Sequence, residues 1–268
     1  MSKKIIILIS GKLKYLSDQN FLRIKDSFKD FEVNFILTPW EIEDENLIKK
    51  FEYNYHPLII KKINPTKYDD YINQIKFPDN AASMEGFFYN WDGICKGYAE
   101  IINYCNKKNY IPDYILRYRS DILPENNSIF NLENNLKNNQ IVVPDRFHWN
   151  GINDQIFLTN FNTIKNFENF FSYIETHISQ NRFFSGEYIF YKFLKKNNFK
   201  VFFNNFGYNL MREKNFKKDI LPKQIKSKIP IIDHFEIQLN KIKYKFRNFN
   251  DFFVLKKKRN KYQDIKID

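Results

Sequence analysis

Arg117-Tyr118-Arg119-Ser120-Asp121 sets two guanidinium groups and a carboxylate on alternate positions. The residues just before them, Tyr114, Ile115 and Leu116, are aromatic or aliphatic, with the character of a strand. Residues two apart in a strand share a face, so Arg117 and Arg119 point together and Asp121 keeps their parity near the carboxyl end. Ligands of open α/β sheets bind beyond the carboxyl ends of the strands. A guanidinium matches a diphosphate, and a carboxylate there can hold a divalent metal that bridges phosphates. The segment predicts a site for a metal–diphosphate ligand such as a nucleotide sugar. The plainer alternative is a solvated surface ion pair, which would contribute little.

Other residues have chemistry to offer. Ser10 and Gly11 follow the apolar run Ile5–Ile9, and glycine permits close backbone approach to a ligand; an ordinary tight turn is the alternative. Asp154 lies in a polar stretch before Ile156 and Phe157, where a carboxylate can act as a base or as a helix N-cap. Glu187 opens an apolar-periodic segment, so its charge can simply compensate a helix dipole. Four histidines are present, among them His148 and His234. Asn90 and Trp91 sit near the start of a long helical pattern and are both placed to line a ligand pocket, with core packing the plainer account of Trp91. The sequence has no Gly-rich phosphate loop, no Cys/His zinc spacing and no Gly-x-Ser-x-Gly elbow. P-loop ATPases, zinc modules and α/β-hydrolases are thereby set aside.

The elements that must position these groups follow from apolar periodicity. Lys3 to Ile9 predicts a buried strand, with Ser10-Gly11 beginning the loop after it. Asp18 is placed to cap a helix carrying Phe21, Ile24 and Phe28. Glu32 to Leu37 predicts a second strand, and Tyr55 to Ile63 holds a shorter third. Asn64 to Asn80 reads as polar and irregular. Met84 to Asn106 is the clearest helix, with Phe87, Ile94, Tyr98, Ile101 and Cys105 at helical spacing. After the Tyr114 strand, Ile129 to Asn139 predicts a short helix and loop, and Gln140 to Val143 a strand stopped by Pro144. Asn153 to Phe171 contains a strand or helix start and then an aromatic helix. Gly186 to Asn197 predicts a helix and Lys200 to Asn204 a strand.

Composition bounds the rest. The chain has 268 residues, 43% of them hydrophobic, with 29 Phe and 17 Tyr, ample for a core. Cys95 and Cys105 fall ten apart on one predicted helix, too distant to bridge. The apolar run near the N-terminus is short and lacks a small-residue cleavage site, so it reads as a first strand and the protein as cytoplasmic. The net charge is +12, but Lys241 to Asp268 alone holds ten Lys or Arg against three Asp, a net of +7. The excess forms a localised basic tail. Within it, Phe246, Phe249, Phe252 and Phe253 predict an apolar helical stripe, followed by Lys256-Lys257-Lys258-Arg259. Such a pattern suits an anionic membrane surface.

The order of Arg117-Tyr118-Arg119-Ser120-Asp121, then Gly151-Ile152-Asn153-Asp154-Gln155-Ile156-Phe157, then Ser185-Gly186-Glu187-Tyr188-Ile189-Phe190 resembles bacterial glycosyltransferases of the GT-A type. More narrowly it resembles the WavE-like transferases of lipopolysaccharide and capsule synthesis, over roughly Lys3 to Phe206. The resemblance implies an α/β fold with a Rossmann-type mixed sheet flanked by helices. It implies a catalytic domain over residues 1–213, and residues 214–268 then form a basic C-terminal helical extension. It implies a nucleotide-sugar donor, a glycan or lipid-linked glycan acceptor and a divalent metal, Mn or Mg. Ser10, Gly11, Arg117, Arg119 and Asp121 would bind the donor. Asp121 and His234 would hold the metal, and Asp154 or Glu187 would face the acceptor or serve as base. The Asp-x-Asp of many such enzymes is reduced here to Arg119-Ser120-Asp121, a single carboxylate. The location expected is cytoplasmic, peripheral on the inner face of the inner membrane. Two alternatives remain: a transferase of a phosphate-linked group to capsular polysaccharide, and a basic nucleic-acid-binding protein. The confinement of the basic excess to one end speaks against nucleic acid.

Overall fold

The computed structural model describes residues 2–13, 16–41, 44–64, 84–126, 136–145, 152–179, 186–211 and 264–265. The first strand, β1 (Lys3–Gly11), has every residue from Ile5 to Gly11 inside. A strand apolar on both faces must be covered on both, and parallel neighbours with crossover helices do this. β1 pairs in parallel with β2 (Phe31–Pro39) on one side and with β4 (Tyr114–Arg119) on the other. Ser10 and Gly11, expected to open a loop, remain in register with Thr38 and Pro39.

Between β1 and β2 runs α1 (Asp18–Ser27). Its cap is Ser17 rather than Asp18: the Ser17 hydroxyl accepts the Asn20 backbone N–H at 3.3 Å, and Asn20 Oδ1 accepts the Ser17 N–H at 3.3 Å. A helix that periodicity did not bring out, α2 (Glu45–Tyr55), buries Ile48, Phe51 and Tyr55. It takes up Tyr55 from the predicted third strand, and His56 ends it at φ 43°. β3 is therefore only Ile59–Ile60.

The long helix α3 (Met84–Lys108) follows, then β4, a short β5 (Ile122–Pro124) and β6 (Gln140–Pro144). The ambiguous aromatic stretch resolves into β7 (Ile156–Thr159), a one-turn α4 (Phe161–Ile164), a 3₁₀ turn (Lys165–Asn169) and α5 (Phe170–Ser179). Last come α6 (Gly186–Lys196), β8 (Lys200–Asn204), β9 (Tyr208–Leu210) and β10 (Asp264–Ile265).

The main sheet has the order β10-β8-β6-β7-β4-β1-β2-β3, and β5 pairs with β9 in a separate two-stranded ribbon. β7 runs antiparallel to β4 and β6, so the sheet is mixed. This is the α/β fold with a mixed sheet flanked by helices that the sequence predicts. One core joins Ile6, Leu8, Ile115 and Val143 to α3, α5 and α6; the other joins Ile5, Ile7, Leu37 and Leu116 to α1 and α2. Trp91 belongs to the first, in ring contact with Phe157, Phe170 and Phe190, as core packing requires. Cys95 and Cys105 are free thiols. Among the described residues no helix is long and apolar enough to cross a membrane. The segment 127–135 and all of 214–268 except β10 lie outside the described residues.

Candidate active site at the edge of the sheet

The chain leaves β1 for β2 and β3 on one side, then returns to β4 on the other. Strand order therefore reverses between β1 and β4, and the crevice at their carboxyl ends is where open α/β sheets bind ligands. Ser10 and Arg119 sit opposite each other there. Gly11 closes β1 at φ +101°, a conformation that side chains rarely adopt. The Ser120 hydroxyl donates to the Lys12 carbonyl at 2.5 Å, which ties the chain after β1 to the turn after β4.

Parity holds as predicted: the arginines share the face of the sheet covered by α3. Arg117, however, lies beneath the edge rather than on it. It is wholly buried, donating from Nη1 to the Gln155 carbonyl at 2.8 Å and from Nη2 to Asn90 Oδ1 at 2.9 Å. Burial and the neighbouring Arg119 charge push its pKa down to about 10. Its charge reaches the crevice through Asn90, whose Oδ1 would be 3.9 Å from a Cβ on Gly11.

Arg119 is at the edge itself. Its Nε donates to Asp121 Oδ1 at 2.5 Å and its Nη2 to Asp121 Oδ2 at 2.9 Å, a two-pronged pair. Burial alone would lower the Arg119 pKa; the charge and hydrogen bonds of Asp121 together outweigh it. The side chains are 22% and 14% exposed, so neither the solvated pair nor an open strand-end carboxylate describes them.

Asp154 is brought to the same place. Residues after it form a strand, so it caps no helix; instead Asn153 Oδ1 accepts the Gln155 N–H at 2.9 Å in a local turn. The carboxylate is 8% exposed. Burial raises its pKa, Arg119 and Arg117 oppose that rise, and Asp121 adds to it. The start of α6 leans on this loop: the Ile152 N–H donates to the Glu187 carbonyl at 3.1 Å, which puts Glu187 beside it. A Cβ on Gly186 would lie 2.9 Å from Asp154 Oδ2, so any larger residue there makes the carboxylate or the helix shift.

Sequence reasoning missed the supports. Tyr208 of β9 accepts from Asn153 Nδ2 at 2.7 Å and donates to Gln155 Oε1 at 2.9 Å. Met211 N–H donates to the Asp121 carbonyl at 2.7 Å. The polar run Asn153-Asp154-Gln155 was a visible signal; nothing in the sequence marks Tyr208. At the same edge the buried Ser10 Oγ, Thr38 Oγ1, Trp40 Nε1 and Arg117 Nε have no hydrogen-bond partner among the described residues.

The divalent metal expected at Asp121 and His234 meets a poor donor set. Both Asp121 oxygens are taken by Arg119. Among the described residues no three His, Cys, Asp or Glu come together, and His148 and His234 lie outside them. The described residues do not fit a divalent ion.

No family model and no curated protein sequence matches the chain. Solved structures similar to it include the galactosyltransferase LgtC in complex with donor and acceptor sugar analogues, at 15% identity and TM-score 0.41 over 69% of each chain. The mannosyltransferase Ktr4p of S. cerevisiae is 10% identical with a TM-score of 0.47, over 77% of this chain and 70% of that one. Core-mannan synthase A of Aspergillus fumigatus, in a Mn/GDP form, is 10% identical with a TM-score of 0.44, over 76% and 74%. A likeness of this degree is loose; the chain's own sheet and the residues at its edge define the site.

Proposed function

We propose that the protein is a glycosyltransferase that takes a nucleotide-diphosphate sugar and moves the sugar to a surface glycan, of lipopolysaccharide, lipooligosaccharide or capsule. One observation carries the reading: Ser10, Gly11, Arg119 and Asp121 converge in the crevice where strand order reverses, with Asp154 buried beside them. The unpartnered Ser10 and Thr38 hydroxyls at that edge suit a polar ligand, since buried polar groups are rarely left without hydrogen bonds.

In this mechanism the bond from the anomeric carbon to the diphosphate oxygen breaks and an acceptor hydroxyl oxygen bonds to that carbon. The electron pair leaves on the diphosphate, whose growing charge Arg119 stabilises. The hydroxyl proton passes to a carboxylate. Asp154 suits this because its raised pKa brings it nearer working pH. Glu187, at the start of α6, is the second candidate.

The test is a panel of nucleotide sugars scored for hydrolysis and thermal shift. One nucleotide class should stabilise the protein, because a ligand bound only by the native state raises stability by mass action. No shift and no hydrolysis with any nucleotide sugar would overturn the reading. A lipid-linked acceptor also gives the basic tail a purpose, docking the enzyme on the inner membrane face. Co-sedimentation with anionic vesicles at low salt checks this; a full-length protein that stays in the supernatant has no such anchor.

A further inference from the structure

We infer that the diphosphate charge is met by the Arg119 guanidinium, held in place by Asp121, and not by a divalent cation held by Asp121. The inference rests on the donor class proposed above and concerns the means by which the donor is bound.

A cation that bridges phosphates on an enzyme usually rests on one or two carboxylates. Among the described residues Asp121 and Asp154 are the carboxylates that act on Arg119, and each is already answered by positive charge. Asp121 gives both its oxygens to Arg119, at 2.5 and 2.9 Å. Asp154 is buried and feels Arg119 and Arg117 more strongly than it feels Asp121. A divalent ion at Asp121 would have to displace Arg119 or sit against its positive charge.

The same pair leaves Arg119 equipped for phosphate. A guanidinium carries five N–H donors in a fixed fork. Asp121 engages one on Nε and one on Nη2, which leaves three: the second on Nη2 and both on Nη1. The carboxylate therefore fixes the plane of the fork without consuming it. Planar, two-pronged recognition of phosphate is what arginine provides and a lysine ammonium does not. Ser10 faces Arg119 across the β1–β4 register, and its unpartnered hydroxyl is placed to join it. Arg117 adds positive potential from below. The orientation of Arg119 is fixed in turn by backbone contacts on both sides: its own N–H donates to the Gln155 carbonyl at 3.1 Å, and the Asp121 carbonyl accepts from Met211.

The test measures UDP, GDP and CDP binding calorimetrically to the full chain, once after exhaustive chelation and once with Mn²⁺ or Mg²⁺ added. The expected result is unchanged affinity without metal for whichever nucleotide binds. Arg119→Ala should weaken it by about a hundredfold or more, the scale of losing a desolvated charge partner. Arg119→Lys should recover only part of that, because a point charge cannot hold Asp121 and phosphate together. Asp121→Asn guards against a variant that misfolds: it keeps one acceptor for Arg119 but loses the two-pronged hold, so metal-free binding should weaken by only about tenfold, the scale of one hydrogen bond, and should stay indifferent to added metal. Binding that disappears on chelation and returns with Mn²⁺ or Mg²⁺ overturns the inference, as does Asp121→Asn losing all binding while its melting stays cooperative. If none of the three nucleotides binds with or without metal, the donor class itself is wrong, a failure distinct from metal dependence.

Discussion

The hydroxyl of Tyr208 donates to Gln155 Oε1 at 2.9 Å, joining the ribbon strand β9 to the residue that follows Asp154. The same oxygen accepts from Asn153 on the other side of that carboxylate. All of these residues are buried. Tyr208 thus closes a ring around the loop that carries the candidate base. Tyr208→Phe removes the oxygen and strands a buried amide donor and a buried amide acceptor. The expected cost is about 1–3 kcal/mol of stability, read as a lower denaturation midpoint with unchanged slope. Turnover should fall further than donor affinity, because the Tyr208 hydroxyl bonds to both neighbours of Asp154, while its effect on Arg119 is a minor electrostatic one.

Burial of Asp154 makes stability depend on pH in a definite direction. Its folded pKa is raised above the ordinary carboxylate value by loss of solvent, despite Arg119 and Arg117. The folded state therefore holds the proton longer than the unfolded chain. Its contribution to stability is full below the unfolded pKa of about 4 and is lost as pH rises through the folded pKa. Asp154→Asn cannot ionise and removes this slope. Relative to wild type, the variant should gain in melting temperature from pH 4 to pH 7. A constant difference across that range would show that Asp154 titrates normally.

Asp121 stands near a strand end, where a carboxylate outside the core would tolerate removal. Its 14% exposure and paired oxygens argue otherwise. Asp121→Ala leaves a largely buried guanidinium without its partner. Fully buried pairs lose roughly 3–5 kcal/mol on such truncation; partial exposure reduces this to about 2 kcal/mol. Asp121→Asn should cost less, since the amide oxygen still accepts one hydrogen bond. Chemical denaturation of both variants checks the order.

Alternation of residue character made β4 and its paired arginines readable, and helical spacing did the same for α3. Strand partners are not local information: that Ser10 stays paired beyond Ile9 depends on Thr38 and Arg119. Helix α2 escaped because only Ile48, Phe51 and Tyr55 mark its face, and aromatic residues in short runs suit a strand equally well. The pattern placed Arg117 and Arg119 on one face but could not say how deep each lies. Depth is set by Asn90 of α3 and the Gln155 carbonyl just before β7, both bonded to Arg117, which only the assembled sheet reveals. Tyr208 was invisible for the same reason, since it meets Gln155 from far along the chain.

Gly186 offers a test of how closely α6 must approach the candidate base. A methyl group there would stand 2.9 Å from Asp154 Oδ2 and 3.0 Å from the Phe87 ring. Neither neighbour can retreat freely: Asp154 is held in the buried loop tied to Tyr208, and Phe87 packs against Phe88 and Trp91. Gly186→Ala must therefore push the first turn of α6 outward or turn the carboxylate aside. Alanine favours helix, which works for the variant by under about 1 kcal/mol, while overpacking works against it by about 1–3 kcal/mol. A modest net loss of stability is expected. Turnover should fall much more than stability does, because a misplacement of about 1 Å at a reacting group can cost on the order of a hundredfold. Donor affinity, set at Arg119, which Asp121 rather than Asp154 holds, should change less than turnover. A variant with wild-type turnover would show that Asp154 and the start of α6 need no such close fit, and would remove Asp154 from the reaction.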